Sequence, residues 1–345
     1  MKILVTGATG LVGYEVLDQL RAVPGVTAVG TSRRGSATVE DVVAWNLGGE
    51  PCPNALLGVP WDAIVHTAAN VRWTMTPEEA TRANVVTVEA LRPLVAPDTH
   101  LVHVSTAYAS GLTGGGHSED LADYRNTYEW SKAHAERVAG SLFPRLTIVR
   151  PPLIVGRRTD GRAVRFAGMY TLLRGLATST IPVLGAEPEG IADVIPVDDL
   201  GTVLVKFATG DLHERTDPYV LACGTSAPKV GDVVEAMLAG LNEWRTVAGA
   251  APLETPRIIP PERWNRFFLP FARQHLTGRQ NRMLDLLLNF EPYFEQVKPL
   301  ESTHEVHGAL DAIKVSACYW AAQHPRLAAL TPRPWKLATG TEQET

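Results

Sequence analysis

The chain has 345 residues, of which 45% are hydrophobic and 20% charged, and a formal net charge of −5. That length can bury a large core and suggests two domains, or one large domain with an extension. The ordinary composition excludes a disordered or fibrous chain, and the slightly acidic balance gives no electrostatic reason to expect a nucleic-acid partner.

No stretch approaches the roughly 18–20 apolar residues of a membrane span, so none is expected. The apolar run in MKILVTGATG is too short for the core of a signal peptide and passes at once into glycines. Cys52, Cys223 and Cys318 are scattered without metal-ligand spacing. They read as buried free thiols of a reducing, cytoplasmic compartment, and no metal site is expected.

In chain order, the runs KILVTG, TAVGTS, VVAWNL, DAIVHTAA, HLVHVSTA and LTIVRPPLIVG alternate with helix-length segments. Runs rich in Val and Ile that are apolar throughout suit a parallel sheet covered on both faces. The expected fold class is α/β, a Rossmann-type doubly wound parallel sheet over residues 1–155. Residues 156–335 are expected to form a smaller, largely helical substrate-binding part, with strands near 190–225 able to rejoin the sheet. Residues 336–345 read as a polar tail.

The first strand leads into VTGATGLVG, with Gly7, Gly10 and Gly13 three apart. Glycine permits a tight turn and close backbone approach to a pyrophosphate, which the N–H groups and dipole of the next helix hold. The spacing is not the common GxGxxG, so its place between a strand and a helix carries the reading. Gly13, Val16, Leu17 and Leu20 then form one apolar stripe for docking on the sheet.

Where NAD binders place an acidic residue, after the second strand, the chain reads GTSRRGS. Thr31, Ser32, Arg33 and Arg34 offer hydroxyls and guanidinium forks with no carboxylate, which favours NADPH through its 2′-phosphate. Solvated surface is the plain alternative for the two arginines. Asn46 and Leu47 close the third run, suited to the adenine edge and ring. Ala68, Ala69 and Asn70 end the fourth, where small side chains let backbone approach pyrophosphate and ribose. Strand-end packing is the alternative in both places.

TPEE at 76–79 is a capping box with proline at the first helical position. The helix it starts places Asn84, Val88, Leu91 and Val95 on one face. A polar Asn84 on a core-facing stripe needs partners, and is expected to tie strand or loop backbone together rather than to touch cofactor.

The fifth run, HVSTAYASG, ends with Ser105 and Thr106, either able to bond a substrate oxygen. TYEWSKAHAE follows and puts Tyr128 and Lys132 one turn apart on a helix face. An ammonium beside a phenol is expected to lower the phenol's pKa from about 10, easing proton exchange with a substrate oxygen near neutral pH. Lys132 can also hold the nicotinamide ribose. The spacing alone is common, so its weight comes from the strand-end hydroxyls at the same sheet edge. Tyr124 lacks a lysine four residues on and is expected in a loop near the site. His134 is expected to be exposed or packed.

Taken together, VTGATGLVG, HVSTAYASG and TYEWSKAHAE resemble the extended short-chain dehydrogenase/reductases. VHTAANVRW, ATRANVVTVEAL, IVRPPLIVGRRTDGR and DVIPVDDL extend the resemblance to their fatty acyl-CoA reductase and thioester reductase branch, over roughly the first 205 residues. The resemblance implies a catalytic set of Thr106, with Ser105 as the adjacent option, Tyr128 and Lys132. Glu136 fits the tail of the motif and reads as structural. The expected cofactor set is Gly7, Thr9, Gly10, Leu11, Gly13, Arg33, Arg34, Asn46, Leu47, Ala68, Ala69, Asn70, Tyr128, Lys132, Pro151 and Leu153.

The expected activity is NADPH-dependent reduction of an acyl thioester to an aldehyde, and on to an alcohol if a second hydride follows. The thioester would arrive on coenzyme A or on a separate acyl carrier protein. RWNRFFLPFARQ and NFEPYFEQVKPLESTHEV are either walls of an acyl channel or plain core. The rivals are another extended-family chemistry, such as a ketone reductase, a hydroxysteroid-type dehydrogenase or a sugar-nucleotide epimerase, and an NADP-binding redox sensor without turnover. The arginine pair counts against an epimerase that recycles bound NAD. The Tyr128/Lys132 pair counts against a sensor.

Overall fold

The computed structural model describes residues 1–114, 118–178 and 183–331; the polar tail expected at 336–345 lies outside them. The first half alternates as the sequence pattern requires. Strands β1 (Lys2–Thr6), β2 (Thr27–Ser32), β3 (Val42–Ala44), β4 (Ala63–His66), β5 (His100–Val104) and β6 (Arg145–Arg150) are joined by helical segments. Their order in the sheet is β6-β5-β4-β1-β2-β3, every pairing parallel. The chain therefore winds outward from β1 in one direction and from β4 in the other. The crevice between those two strands, at their carboxyl ends, is where open α/β sheets bind ligands.

Prolines set the sixth boundary. Pro151 and Pro152 have no N–H to give a ladder, so the run LTIVRPPLIVG is two strands in two sheets. β7 (Leu153–Val155) leaves the main sheet and pairs with β9 (Val194–Pro196), while β8 (Val183–Gly185) pairs with β11 (Arg257–Ile259). Two later strands return to the main sheet: β10 (Tyr219–Ala222) beside β6, and β12 (His304–Glu305) outside β10. The third run is shorter than expected. Strand β3 stops at Ala44, Trp45 turns into the core, and the Asn46 carbonyl accepts from Gly49 and Glu50 N–H at 2.9 and 3.0 Å.

Helix α1 (Leu11–Arg21) buries Val16, Leu17 and Leu20 against one face of the sheet, as its stripe predicts, alongside α6 (Val197–Thr209). The opposite face meets the helical run that begins at the Thr76 capping box, and α4 (Thr127–Leu142). That run is not uniform: α2 (Pro77–Ala80) widens into a π turn at Thr81–Val85 before α3 (Val86–Glu89). Asn84, Val88 and Leu91 are buried, and Val95 is half-buried.

A second core, which takes in Tyr108, Leu153 and Val155 from the first part, lies among α5 (Met169–Ala177), α7 (Val230–Val247) and the later helices, which are α8 (Pro261–Arg263), α9 (Leu269–His275), α10 (Gly278–Leu288), α11 (Glu291–Phe294), α12 (Ala309–Gln323) and α13 (Pro325–Ala328). Trp264, Phe290, Tyr293 and Phe294 are buried in it, whereas Phe267 and Phe271 face outward. Arg157 ties the C-terminal part to α1 through Glu15 at 2.7 Å and through Asp18, and Arg158 reaches Asp199 on α6. All three cysteines are free; Cys223 is buried, whereas Cys52 and Cys318 are only half-buried. Among the described residues no helix is long and apolar enough to cross a membrane, and no cluster of metal-ligating side chains occurs.

Candidate active site

The glycine turn is shaped for close backbone approach. Gly7 has φ +71°, and a Cβ there would lie 2.9 Å from Ala68 backbone. At Gly13 a Cβ would lie 2.3 Å from the Gly7 carbonyl oxygen. Side chains at either place would force the turn away from the loop after β4. Gly10 caps α1 without any side-chain acceptor for the first-turn N–H groups. Those donors, at the positive end of the helix dipole, are available to an anion.

Past β2, Ser32 Oγ donates to the Gly35 carbonyl at 2.6 Å, so that hydroxyl is engaged by its own turn. Thr31 is fully buried, with its hydroxyl unpartnered among the described residues. Neither therefore presents a hydroxyl to solvent as the sequence pattern suggested. Arg33 and Arg34 are both exposed immediately after the strand. Asn46 and Leu47 lie in the turn beyond β3 rather than on it, half-buried. Ala68, Ala69 and Asn70 follow the last residue of β4.

Asn84 organises that loop. Its Oδ1 accepts from Asn70 N–H at 2.8 Å, while its Nδ2 donates to the Asn70 carbonyl at 3.2 Å and to Ser131 Oγ at 2.8 Å. One buried amide therefore ties the loop after β4 to α4, one residue from Lys132. The π turn aims Asn84 at both partners; such insertions re-aim a side chain within a helix and recur at functional sites.

At the end of β5, Ser105 and Thr106 are buried. Thr106 is the side-chain neighbour that pulls the Tyr128 phenol pKa down, and Thr106 Oγ1 itself accepts from Tyr108 N–H at 3.4 Å. Ser105 Oγ is buried with no partner among the described residues. Beside them Ala107 N–H donates to the Pro151 carbonyl at 2.8 Å, which brings the Pro151–Leu153 segment next to Thr106. Lys132 is buried, and its Nζ donates to the Val104 carbonyl at 2.7 Å. Burial lowers its pKa to about 8, against the opposing pull of the Glu136 carboxylate.

The electrostatics of Tyr128 differ from the sequence expectation. Its pKa is raised, first by burial and then by the Glu129 carboxylate, with neighbouring Thr106 acting the other way. Lys132 directs its charge to the Val104 carbonyl and not to the phenol. The pair is thus close in sequence and on one helix, yet Tyr128 is held protonated, fit to donate rather than primed as a phenolate.

Three neighbours behave as structural groups. Glu136 holds Arg150 through two hydrogen bonds, at 2.9 and 2.6 Å. Tyr124 is buried, its hydroxyl donating to the Ser118 carbonyl at 2.9 Å. His134 is half-buried and packs edge-on against Trp130.

Other groups near the site have no local sequence signal. His66 and His103 lie side by side on β4 and β5 with rings stacked 5.4 Å apart. Both are buried, and burial plus the Lys132 charge keeps them neutral, His66 at about 3 and His103 well below its ordinary value. Arg165 Nε donates to the Thr9 carbonyl in the glycine turn at 3.3 Å, which sets a guanidinium beside that turn from 156 residues away.

The male sterility protein family matches residues 41–203. The hybrid PKS-NRPS synthetase gkaA of Penicillium citrinum is 26% identical over 282 residues, which are 70% of this chain and 7% of that synthetase. This chain therefore spans a small fraction of that relative. The terminal R domain from the myxalamid PKS-NRPS biosynthetic pathway superposes with a TM-score of 0.68 at 18% identity, over 96% of this chain and 92% of that one. A thiolation-reductase di-domain from an archaeal non-ribosomal peptide synthetase gives 0.64 at 15% identity, over 94% and 76%. UDP-glucuronic acid 4-epimerase from Bacillus cereus in complex with NAD gives 0.61 at 15% identity, over 94% and 100%. At such identities these likenesses are of fold.

Proposed function

We propose that the chain is an NAD(P)-dependent oxidoreductase that reduces an acyl thioester with NADPH; the match of residues 41–203 to the male sterility protein family and the likeness of fold to the myxalamid terminal R domain support this. The observation that carries the reading is the convergence of Thr106 at the end of β5, Tyr128 beside it and Lys132 buried one turn on with its Nζ on the Val104 carbonyl, at the sheet edge that also holds the glycine turn. The names of the two reductase structures support a thioester presented on a carrier domain, with coenzyme A as the alternative thiol.

The residues fit a dinucleotide. The uncapped start of α1 and the turn at Gly7, Thr9, Gly10, Leu11 and Gly13 would hold the pyrophosphate. Arg33 and Arg34, exposed and without a carboxylate nearby in sequence, would take the 2′-phosphate that distinguishes NADPH. Asn46 and Leu47 would meet the adenine, and Ala68, Ala69 and Asn70 the ribose and pyrophosphate. Lys132, Tyr128, Pro151 and Leu153 would flank the nicotinamide end.

Bound NADPH supplies the hydride to the carbonyl carbon. Tyr128, kept protonated by its surroundings, donates a proton to the oxygen on which charge develops, and Thr106 orients that oxygen. Lys132, its Nζ anchored on the Val104 carbonyl, would hold the nicotinamide ribose. The product is a hemithioacetal; its C–S bond breaks, the thiol leaves with a proton, and an aldehyde remains. Each aldehyde thus consumes one NADPH and one proton, and an alcohol would consume a second of each.

The test is NADPH oxidation against acyl-CoA and acyl-carrier thioesters, with products trapped and free thiol counted. One or two NADPH per thiol is expected. Turnover of free ketones with none of thioesters would defeat the reading, as would conversion of a sugar nucleotide without net NADPH use. Tyr128→Phe is expected to lower kcat by about 10²–10⁴-fold while leaving NADPH binding nearly unchanged; full turnover in that variant would assign the proton to another group.

A further inference from the structure

Glu129 follows Tyr128 in the first turn of α4 and has a fully buried side chain. Tyr293, on α11, donates its hydroxyl proton to Glu129 Oε1 at 2.6 Å. Asn126 Nδ2 donates to the Tyr293 hydroxyl at 2.8 Å, and Asn126 Oδ1 caps α4 by accepting from Glu129 N–H at 3.1 Å. Arg125 completes the shell, its backbone N–H and Nη1 reaching Glu129 Oε2 at 3.2 and 3.3 Å. The start of the helix that carries Tyr128 is therefore built around a phenol 164 residues further along the chain.

The same ring has two other neighbours. Trp73, in the loop that follows Asn70, stacks on it at 4.6 Å and 27°. Tyr108, in the turn that follows Thr106, meets it edge-on at 4.8 Å. Tyr293 thus touches all three segments that carry proposed site residues: the loop after β4, the turn after β5 and the first turn of α4.

We infer that Tyr293 is a positioning residue for the reduction. Its hydroxyl locks Glu129, and with it Tyr128, in register with Thr106 and the Asn70 loop, so the helical C-terminal part is a component of the catalytic geometry. A phenylalanine would satisfy Trp73 and Tyr108 equally well, so packing does not explain the hydroxyl. What requires it is a buried carboxylate, which is costly unless its lone pairs are filled. The charged and titratable groups facing Glu129 are Arg125 and the phenols of Tyr108, Tyr128 and Tyr293. Burial raises the Glu129 pKa, and Tyr293 and Arg125 hold it down.

The inference rests on Tyr128 acting as the proton donor, and its test separates the two. In Tyr293→Phe the ring contacts remain and the hydroxyl is gone. The carboxyl ¹³C signal of Glu129, assigned against Glu129→Gln, is expected to titrate at a pH higher by about one unit. With whichever carbonyl substrate the wild type reduces, kcat is expected to fall by about tenfold or more and its acidic limb to move up in pH, with KM, NADPH affinity and melting temperature little changed. In a Glu129→Gln background the same substitution should change kcat no further. An unmoved Glu129 titration would overturn the inference, as would a loss of kcat matched by equal losses of NADPH affinity and thermal stability. If the wild type reduces no thioester but the Glu129 signal shifts as stated, the functional reading fails and the coupling stands.

Discussion

Burial brings the Lys132 ammonium from 10.5 down to about 8, and the fold offsets that with one hydrogen bond to the Val104 carbonyl. A folded-state pKa below the unfolded one means the charged lysine costs stability at neutral pH, a cost that fades as pH rises from about 8 to 10.5. Lys132→Met is therefore expected to melt higher than wild type near neutral pH, with the gain vanishing toward pH 10.5 in paired thermal scans, while turnover is lost. A lower melting temperature near neutral pH would show that the carbonyl hydrogen bond outweighs desolvation. The arginines after β2 make a separate prediction. Charge-assisted hydrogen bonds contribute about 1.5–3 kcal/mol, so replacing Arg33 and Arg34 by alanine should weaken NADPH roughly 10- to 100-fold and leave NADH unchanged in fluorescence titrations. Equal losses for both cofactors would mark them as surface. At this scale the shared helix of Tyr128 and Lys132 was legible, because both lie on one short stretch with a fixed period. The sign of the Tyr128 shift was not, because burial and the Glu129 charge are tertiary facts. Tyr293 was missed for the same reason: nothing local distinguishes it from a core aromatic.

The glycine turn and α1 work as one element. A methyl at Gly13 would sit 2.3 Å from the Gly7 oxygen, backbone that cannot yield without opening the turn. Gly13→Ala is expected to destabilise the fold by about 1–3 kcal/mol and to abolish the rise in melting temperature that NADPH gives the wild type. A retained ligand-induced shift would mean the turn does not contact the cofactor. The capping box at Thr76 and the stripe through Asn84 made this helical run legible from spacing alone. Its π turn was not, since an extra residue in the backbone register leaves no mark in propensity, yet it is what aims Asn84 at both Asn70 and Ser131. The third and sixth strands were overextended for simpler reasons. Trp45 is apolar because it turns into the core beyond the strand end, and the Pro151-Pro152 pair divides an otherwise continuous apolar run.

Across the whole molecule, the two parts share a sheet and are pinned by Arg157 and Arg158 to α1 and α6. They are expected to unfold together, giving one calorimetric transition that NADPH at 100 times its Kd stabilises by about 2.7 kcal/mol. Two separable transitions, only one responding to NADPH, would refute that coupling. The doubly wound half was legible because buried parallel strands must be apolar throughout. The outermost strand, His304–Glu305, was hidden because two polar residues at a sheet edge carry no such pattern. Its position has a consequence for biosynthesis. As the ribosome extends the chain, β10 emerges well before β12 and waits, at about 5–20 residues per second, for several seconds with its outer row of N–H and carbonyl groups bare. That interval is when the nascent protein is most exposed to pairing with another copy, and when a chaperone would gain most by shielding it.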